Sequence, residues 1–479
     1  MIALIIKTIF FIFFTLQFHS NYDEARISGL FFIIEGETET YYEPIENLVN
    51  GLGYSANFYN PSNGAFELQP SSRRMPGILP LYAPLYSLFE QVVARDLMII
   101  IQLLLSIIAV ALLYEIAHLI TKNELTAQLA FWVYLISPFT GIYDHFGLAE
   151  SLTTSFSIFG VFFYLKSKHL INHKRGQVFY ILSSGIFLIW AITLRSAVAL
   201  LLALVLCDLV FTYLKFNKNL SLLRVPLILI PTFLVLSIWV GRNYVVKNEF
   251  TPLGDSVFKS MPHIYTQAEK SLRPLINHWG GQRKKFYPNS MGAFFYDNTQ
   301  STSMFPDYIF NNSFTKDSLI QLKSYFLKAH KEMTNENIFR NKAKKVQQQF
   351  RKDHPVKYHF IAPIKSLFRL YFISSDYRLP FPSFSEMSLL QKLIKISNIL
   401  LFNAIAVFAL MGLVLSLTKV NPNISLILYP FMYSIILGCI LYNTEVRYQA
   451  IVFPFLVIPA SIAFTKLIEI VSKKANLES

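Results

Sequence analysis

Ten stretches of this 479-residue chain are apolar for close to twenty residues in a row, and that leaves few folds open. They fall at about 2–18, 97–120, 126–143, 148–165, 178–194, 196–214, 225–241, 394–416, 424–442 and 448–466. A helix needs about 20 mostly apolar residues to cross roughly 30 Å of hydrocarbon. Inside lipid the backbone must satisfy its own hydrogen bonds, so such runs are helices. Strands of a membrane barrel would read as alternations of about ten residues, and these runs are continuous. Only 15% of the residues are charged, against roughly 25% in soluble domains. Cys207 and Cys439 both fall within apolar runs, where small buried hydrophobes are expected. The expected fold is an all-α polytopic membrane protein with about ten transmembrane helices.

Orientation follows from the short connections. Lys166, Lys168, Lys174 and Arg175 follow the fourth run; Lys215, Lys218 and Arg224 follow the sixth. Lys419 follows the eighth run, and Lys466, Lys473 and Lys474 mark the end of the tenth. Cytoplasmic loops are enriched in Lys and Arg, so the expected topology has both termini in the cytoplasm. Lys7 lies inside the first run and no small-residue cleavage site follows, so this run reads as a retained anchor rather than a signal peptide.

Two long stretches then lie on the outer face, 19–96 and 242–393, forming a cap of loops and amphipathic helices. The chain divides into an N-terminal transmembrane module (1–241), a basic outer-face region (242–393) and C-terminal transmembrane helices with a tail (394–479). The middle region holds 23 Lys/Arg against 11 Asp/Glu, a surplus of 12 in a chain of formal charge +14. Such a surplus suits anionic headgroups or a phosphorylated lipid. It faces away from the cytoplasm, which disfavours nucleic acid. Within it, 316–352 reads as amphipathic helix lying near the membrane interface, and a Pro-containing run, 377–383, leads back to the eighth span.

The first outer stretch carries the chemistry. It begins with Glu35, Glu37 and Glu39, passes Tyr41-Tyr42, Asn47-Leu48 and Gly51-Leu52-Gly53-Tyr54, and reaches Arg73-Arg74-Met75-Pro76-Gly77. A carboxylate beside an arginine suits the transfer of a group off a phosphate. The acid takes a proton from the incoming hydroxyl, and the cation holds charge on the departing phosphate.

This order resembles the first outer loop of the GT-C superfamily of membrane glycosyltransferases. More narrowly, it resembles the branch of dolichyl-phosphate-mannose protein mannosyltransferases and the lipid A aminoarabinose transferase. Further matches follow in order: Gly147-Leu148-Ala149-Glu150-Ser151, Leu194-Arg195-Ser196, and Trp239-Val240-Gly241-Arg242-Asn243-Tyr244 with Phe250-Thr251-Pro252-Leu253. Glu445-Val446-Arg447-Tyr448 with Pro454 completes the set. The resemblance covers about 1–255 and 394–466, and nothing in 256–393 matches it. It implies a GT-C fold and a polyprenyl-phosphate-linked sugar donor, moved by inversion to a lipid, glycan or protein hydroxyl. Glu37 is the implied catalytic base with Glu39 as the alternative, a glutamate standing where the family usually has aspartate. Arg74, Arg242 and Arg447 are the implied holders of the donor phosphate. Asp144 and Glu150 are candidates for a second acidic, sugar-orienting role, although helix capping and local hydrogen bonding are the first reading of both.

No phosphate-binding glycine loop follows a predicted strand, and neither His-Glu-x-x-His nor Gly-x-Ser-x-Gly occurs. The donor needs no cofactor, because its phosphate ester already supplies the leaving group. No metal site is expected from the spacing, and whether a divalent cation takes part stays open. The expected setting is the plasma (inner) membrane, with the active site on its outer face. A lipid-linked-sugar transporter and a non-catalytic glycolipid-binding subunit remain alternatives; the first calls for ionisable residues or broken helices near the middle of the spans.

Overall fold

In a computed structural model of the protein, helices occupy all ten apolar runs. The residues described are 1–60, 65–169, 174–216, 219–255, 266–281, 290–296, 301–311, 313–331, 335–372, 379–418, 423–441 and 445–478. Lys218, Lys419 and the start of the 377–383 run lie outside them. The chain opens with α1 (Ile2–Asn21), followed by α2 (Glu39–Val49), the strands β1 (Ser55–Asn60) and β2 (Ala65–Pro70), and α3 (Leu79–Leu88). Next come α4 (Gln91–Thr121), α5 (Glu124–Ile136), the short α6 (Pro138–Gly141), α7 (Glu150–His169), α8 (Lys174–Leu194), α9 (Ala199–Phe216) and α10 (Asn219–Lys247). The middle region supplies α11 (Gln267–His278), α12 (Met291–Tyr296), α13 (Lys316–Lys331), α14 (Glu336–Asp353) and α15 (Ala362–Phe372). The chain closes with α16 (Leu389–Leu417), α17 (Ile424–Ile435) and α18 (Gln449–Glu478).

Seven of these helices are long and apolar enough to cross a membrane, and an eighth span results if α5 and the following helical turns, bent by 52°, are taken together. The helix at 424–440 is short, its last turn being π-helical from Ile436 to Ile440. α7 has the length, but its first turns are rich in Ser and Thr, and most of its residues are buried against neighbouring helices rather than facing outward. A helix surrounded by protein needs no lipid-facing apolar surface, which is why the run at 148–165 can carry Glu150 and five Ser and Thr residues. The protein is an all-α integral membrane protein, with one small hairpin outside the bundle.

That hairpin lies in the first long connection. β1 and β2 pair antiparallel from Ser55↔Pro70 to Asn60↔Ala65. The connection 19–96 is therefore structured almost throughout, and α4 begins at Gln91 rather than at 97.

α1 is tied into the bundle by its one charge. Lys7 is buried and bonds Asp144 Oδ2 and Ser106 Oγ, both at 2.9 Å. Asp144 also accepts from Ser151 at 2.6 Å. An isolated ammonium in hydrocarbon is expensive, so this pair fixes α1 against α4 and the turn before α7.

The middle region contains a second core around Trp279, Phe294, Phe305, Phe326, Phe339 and Phe350. The amphipathic stretch expected over 316–352 is two helices, α13 and α14. Contrary to that expectation, their apolar stripes (Leu319, Leu322 and Phe326; Phe339, Ala343 and Phe350) face this core and not a membrane interface. The expectation for the cysteines also needs correcting: Cys207 is exposed on α9, and Cys439 is half-buried. An apolar run that faces lipid has an outer surface, and Cys207 lies on it.

Candidate active site

Two short segments place the first acid and its arginines. Gly36 adopts a left-handed φ of +55°, and the Thr38 side chain closes a turn with Glu35 at 2.9 and 3.1 Å. This turn sets Glu37 just before the N-terminus of α2, where the helix dipole favours negative charge. Behind it, Tyr41, Tyr42 and Ile45 bury the inner face of α2. After β2 the chain reaches Arg73 and Arg74, then docks through Gly77 on the end of α8. A Cβ on Gly77 would lie 2.8 Å from the Leu194 backbone nitrogen, so no larger residue allows this approach. Trp190 Nε1 donates to the Gly77 carbonyl at 2.7 Å and locks the contact. The Arg-x-Pro-Gly signature thus seats the arginine arm beside Arg195.

Glu37 and Arg74, 37 residues apart, form a direct hydrogen-bonded ion pair. Arg73 and Arg447 approach the same carboxylate at 3.9 and 3.8 Å. Arg447 lies in a single 3-10 turn before α18 and also pairs with Glu445 at 2.7 Å. Its Nε is 3.9 Å from Glu150, the fully buried first residue of α7, which Arg195 binds at 2.5 Å. Tyr41 lies beneath two of these cations, 4.6 Å from the Arg74 guanidinium and 5.7 Å from that of Arg195. Arg195 and Arg447 also stand over the Tyr448 ring, at 5.4 and 5.2 Å.

Among the described residues, four guanidiniums therefore surround three carboxylates, Glu37, Glu150 and Glu445. Burial alone would raise the Glu37 pKa. The guanidiniums of Arg74, Arg447, Arg195 and Arg73 outweigh it and hold the group down at about 2, well below its ordinary 4.5. The resting acid is ionised at any working pH. An anion entering the cluster competes with Glu37 for the same cations.

The remaining predicted site residues lie elsewhere. Glu39 makes a bidentate pair with Arg95 at 3.0 and 2.9 Å, and Arg95 also binds Glu46, so Glu39 faces α4 rather than the arginine cluster. Asp144 is engaged by Lys7 and two serines. Arg242 donates to the carbonyls of Ser71 at 2.7 Å and Tyr54 at 2.6 Å, and to Asn243 at 2.8 Å, fastening the base of the hairpin to α10. It is one residue removed from the cluster, because Tyr54 Oη donates to the Arg74 carbonyl at 3.1 Å. Arg242 also lines a largely apolar cavity of about 420 Å³ with Leu48, Met75, Leu79, Ile238 and Trp239. Sequence reasoning missed Arg73 and Tyr448 as members of the site, and it noted Arg195 only within the Leu194-Arg195-Ser196 motif. Among the described residues, no group of three or more His, Cys, Asp or Glu is arranged to hold a metal ion.

The fold is that of the archaeal oligosaccharyltransferase of Archaeoglobus fulgidus. The archaeal oligosaccharyltransferase AglB from Archaeoglobus fulgidus, in complex with an inhibitory peptide and a dolichol-phosphate, matches with a TM-score of 0.51 at 14% identity, over 99% of this chain and 51% of its own. The apo form of the Archaeoglobus fulgidus oligosaccharyltransferase gives a TM-score of 0.52 at 13% identity, over 99% and 52%. ArnT from Cupriavidus metallidurans, bound to undecaprenyl phosphate, is similar at a TM-score of 0.39 and 10% identity, over 96% and 77%. The chain thus spans about half the length of the oligosaccharyltransferases it matches. No family model matches the sequence, and no curated protein matches it significantly.

Proposed function

We propose that this chain is an integral membrane glycosyltransferase that moves a sugar from a polyprenyl-phosphate donor to an acceptor hydroxyl at the outer face of the plasma membrane, with both termini in the cytoplasm. The observation that carries this reading is the buried cluster in which Glu37 pairs with Arg74 and is approached by Arg73 and Arg447, with Arg195 held close by on Glu150. A carboxylate balanced in this way is set up for exchange. The donor's phosphate oxygens take over Arg74 and Arg447, whose planar forks suit bidentate contact. Withdrawal of that positive charge raises the proton affinity of Glu37 as the substrate arrives.

The reaction is then a single displacement. Glu37 removes the acceptor's hydroxyl proton, and the acceptor oxygen forms a bond to the anomeric carbon. The bond from that carbon to the phosphate oxygen breaks with inversion, and its electron pair leaves on polyprenyl phosphate. Arg74 and Arg447, backed by Arg73 and Arg195, hold the negative charge that develops there. Glu150 keeps Arg195 and Arg447 oriented. Arg242 and the apolar cavity beside it receive the first prenyl units, next to the backbone of Arg74. The likeness in fold to an oligosaccharyltransferase solved with a dolichol-phosphate supports the choice of donor class.

The test is purified protein in bilayers with a radiolabelled polyprenyl-phosphate sugar and a panel of lipid, glycan and peptide acceptors. Formation of labelled acceptor with stoichiometric release of polyprenyl phosphate is expected. Net movement of intact donor across the bilayer without transfer would replace the transferase with a transporter. Binding without either event would leave a glycolipid-binding subunit.

A further inference from the structure

The sequence assigns the whole of 242–393 to a cap above the membrane, but residues 355–372 do not behave as part of one. They form a continuous helix, with a π-helical turn at Lys357–Ile361 leading into α15. One face is fixed to the spanning helix α16 and to the short α17 beside it. Ala362, Ser366, Leu370 and Tyr371 are buried, and Tyr371 Oη donates to Ser434 of α17 at 2.8 Å. Gly438 permits the close approach, since a Cβ there would lie 3.2 Å from Leu367 Cα and 3.0 Å from Leu370 Cδ1.

The opposite face is exposed and mainly apolar, with His359 and Lys365 beside the apolar stripe. Val356, Phe360, Ile364 and Phe368 recur every four residues and are 61%, 63%, 49% and 58% exposed. Immediately before this stripe, α14 turns its own apolar side into the second core. Outward it presents Arg340, Lys344, Lys345, Arg351 and Lys352, all exposed. Two acids flank that face, Glu336 at its start and Asp353 at its end; Asp353 is bonded by Asn311 and Gln349.

We propose that residues 340–372 form a bilayer-docking element that selects anionic lipid. The stripe from Val356 to Phe368 lies in the acyl region of the leaflet beside α17, and the cations of α14 bind phospholipid headgroups just above it. The occupant follows from the attachment of the inner face. A helix fastened along a membrane span turns its other side toward whatever surrounds that span, and here that side is mainly apolar. The adjoining helix meets the next layer out with a nearly uniform positive charge, complementary to anionic headgroups. The docking fixes the height of the second core over the bundle. It does not depend on the transferase reading.

Nitroxide labels test it in the full-length protein, in a C207S/C439S background, at F360C, I364C and N341C. The protein is placed in nanodiscs of phosphatidylcholine, with or without one-third phosphatidylglycerol. At positions 360 and 364, collision with oxygen should exceed collision with a water-soluble nickel chelate at least threefold, and at 341 the order should reverse. Phosphatidylglycerol retained through purification, read by native mass spectrometry, should fall at least twofold in K344Q/K345Q/K352Q. Nickel access at 360 and 364 equal to that at 341 would overturn the proposal, as would unchanged lipid retention in the triple variant. Retention of soluble polyphosphate in preference to phosphatidylglycerol would also overturn it, in favour of a soluble polyanion.

Discussion

Replacing Glu37 by Gln separates a catalytic carboxylate from a structural one, because the two roles predict opposite effects on donor binding. Glutamine keeps the shape and an acceptor oxygen for Arg74 but removes the charge. In the folded protein the arginines lower the Glu37 pKa from 4.5 to about 2 against the opposing effect of burial. That difference is about 2.5 units, or about 3 kcal/mol at 1.36 kcal/mol per unit. This is the order of magnitude by which the cluster favours the carboxylate, and so of the interaction a donor phosphate has to displace. Glu37→Gln should therefore bind polyprenyl phosphate more tightly than wild type, by at least fivefold and at most about 300-fold. Transfer should meanwhile fall by about 10² to 10⁴, the range expected for loss of a general base. Donor binding is read by equilibrium titration of a fluorescent polyprenyl phosphate in nanodiscs, and transfer by single-turnover release of labelled product. Weaker binding and slower transfer together would refute the exchange of Glu37 for phosphate; undiminished transfer would refute the base. The pH dependence carries the same sign. A carboxyl with a depressed folded pKa contributes stability above its unfolded value near 4.5, and that contribution is lost as the pH falls toward 2. Glu37→Gln should be less sensitive than wild type to acid over that window.

Three other perturbations follow from the same geometry. Glu39→Gln should keep most of the transfer activity, whereas Arg95→Gln, which strands Glu39 and Glu46 together, should open the first connection to limited proteolysis. Lys7→Met leaves Asp144 buried with an uncompensated charge and should cost about 3–5 kcal/mol, read as a lower melting temperature in detergent. The double change Lys7→Met with Asp144→Asn should recover most of that loss. Gly77→Val should push the arginine arm off α8 and abolish transfer while the protein still inserts, checked by size-exclusion profile and activity together.

The fold was legible because lipid is a demanding solvent. Runs such as 97–120 and 394–416 admit only helices, and the structure differs from them mainly at the ends. The hairpin at 55–70 was hidden in a polar connection with no length rule. The fate of 316–352 was hidden for another reason: an amphipathic stripe reports that a face is covered and not what covers it. At the candidate site, the Glu37–Arg74 meeting was legible through motif order. The placement of Asp144 was not, since its partner Lys7 lies 137 positions earlier and looks like part of an anchor. Arg195 was visible but had no assigned work, because only the docking of Gly77 against Leu194 brings the first connection to it.

Arg447 touches Glu37 across 410 positions of chain (447 minus 37). A ribosome releases the acid and Arg74 long before it makes the turn ahead of the last helix. Until that final helix is threaded into the bilayer, Glu37 and Glu150 lack one of the cations they share. Completion of the cluster thus waits on the last helix to be made, and the first connection cannot take its final set of contacts before then.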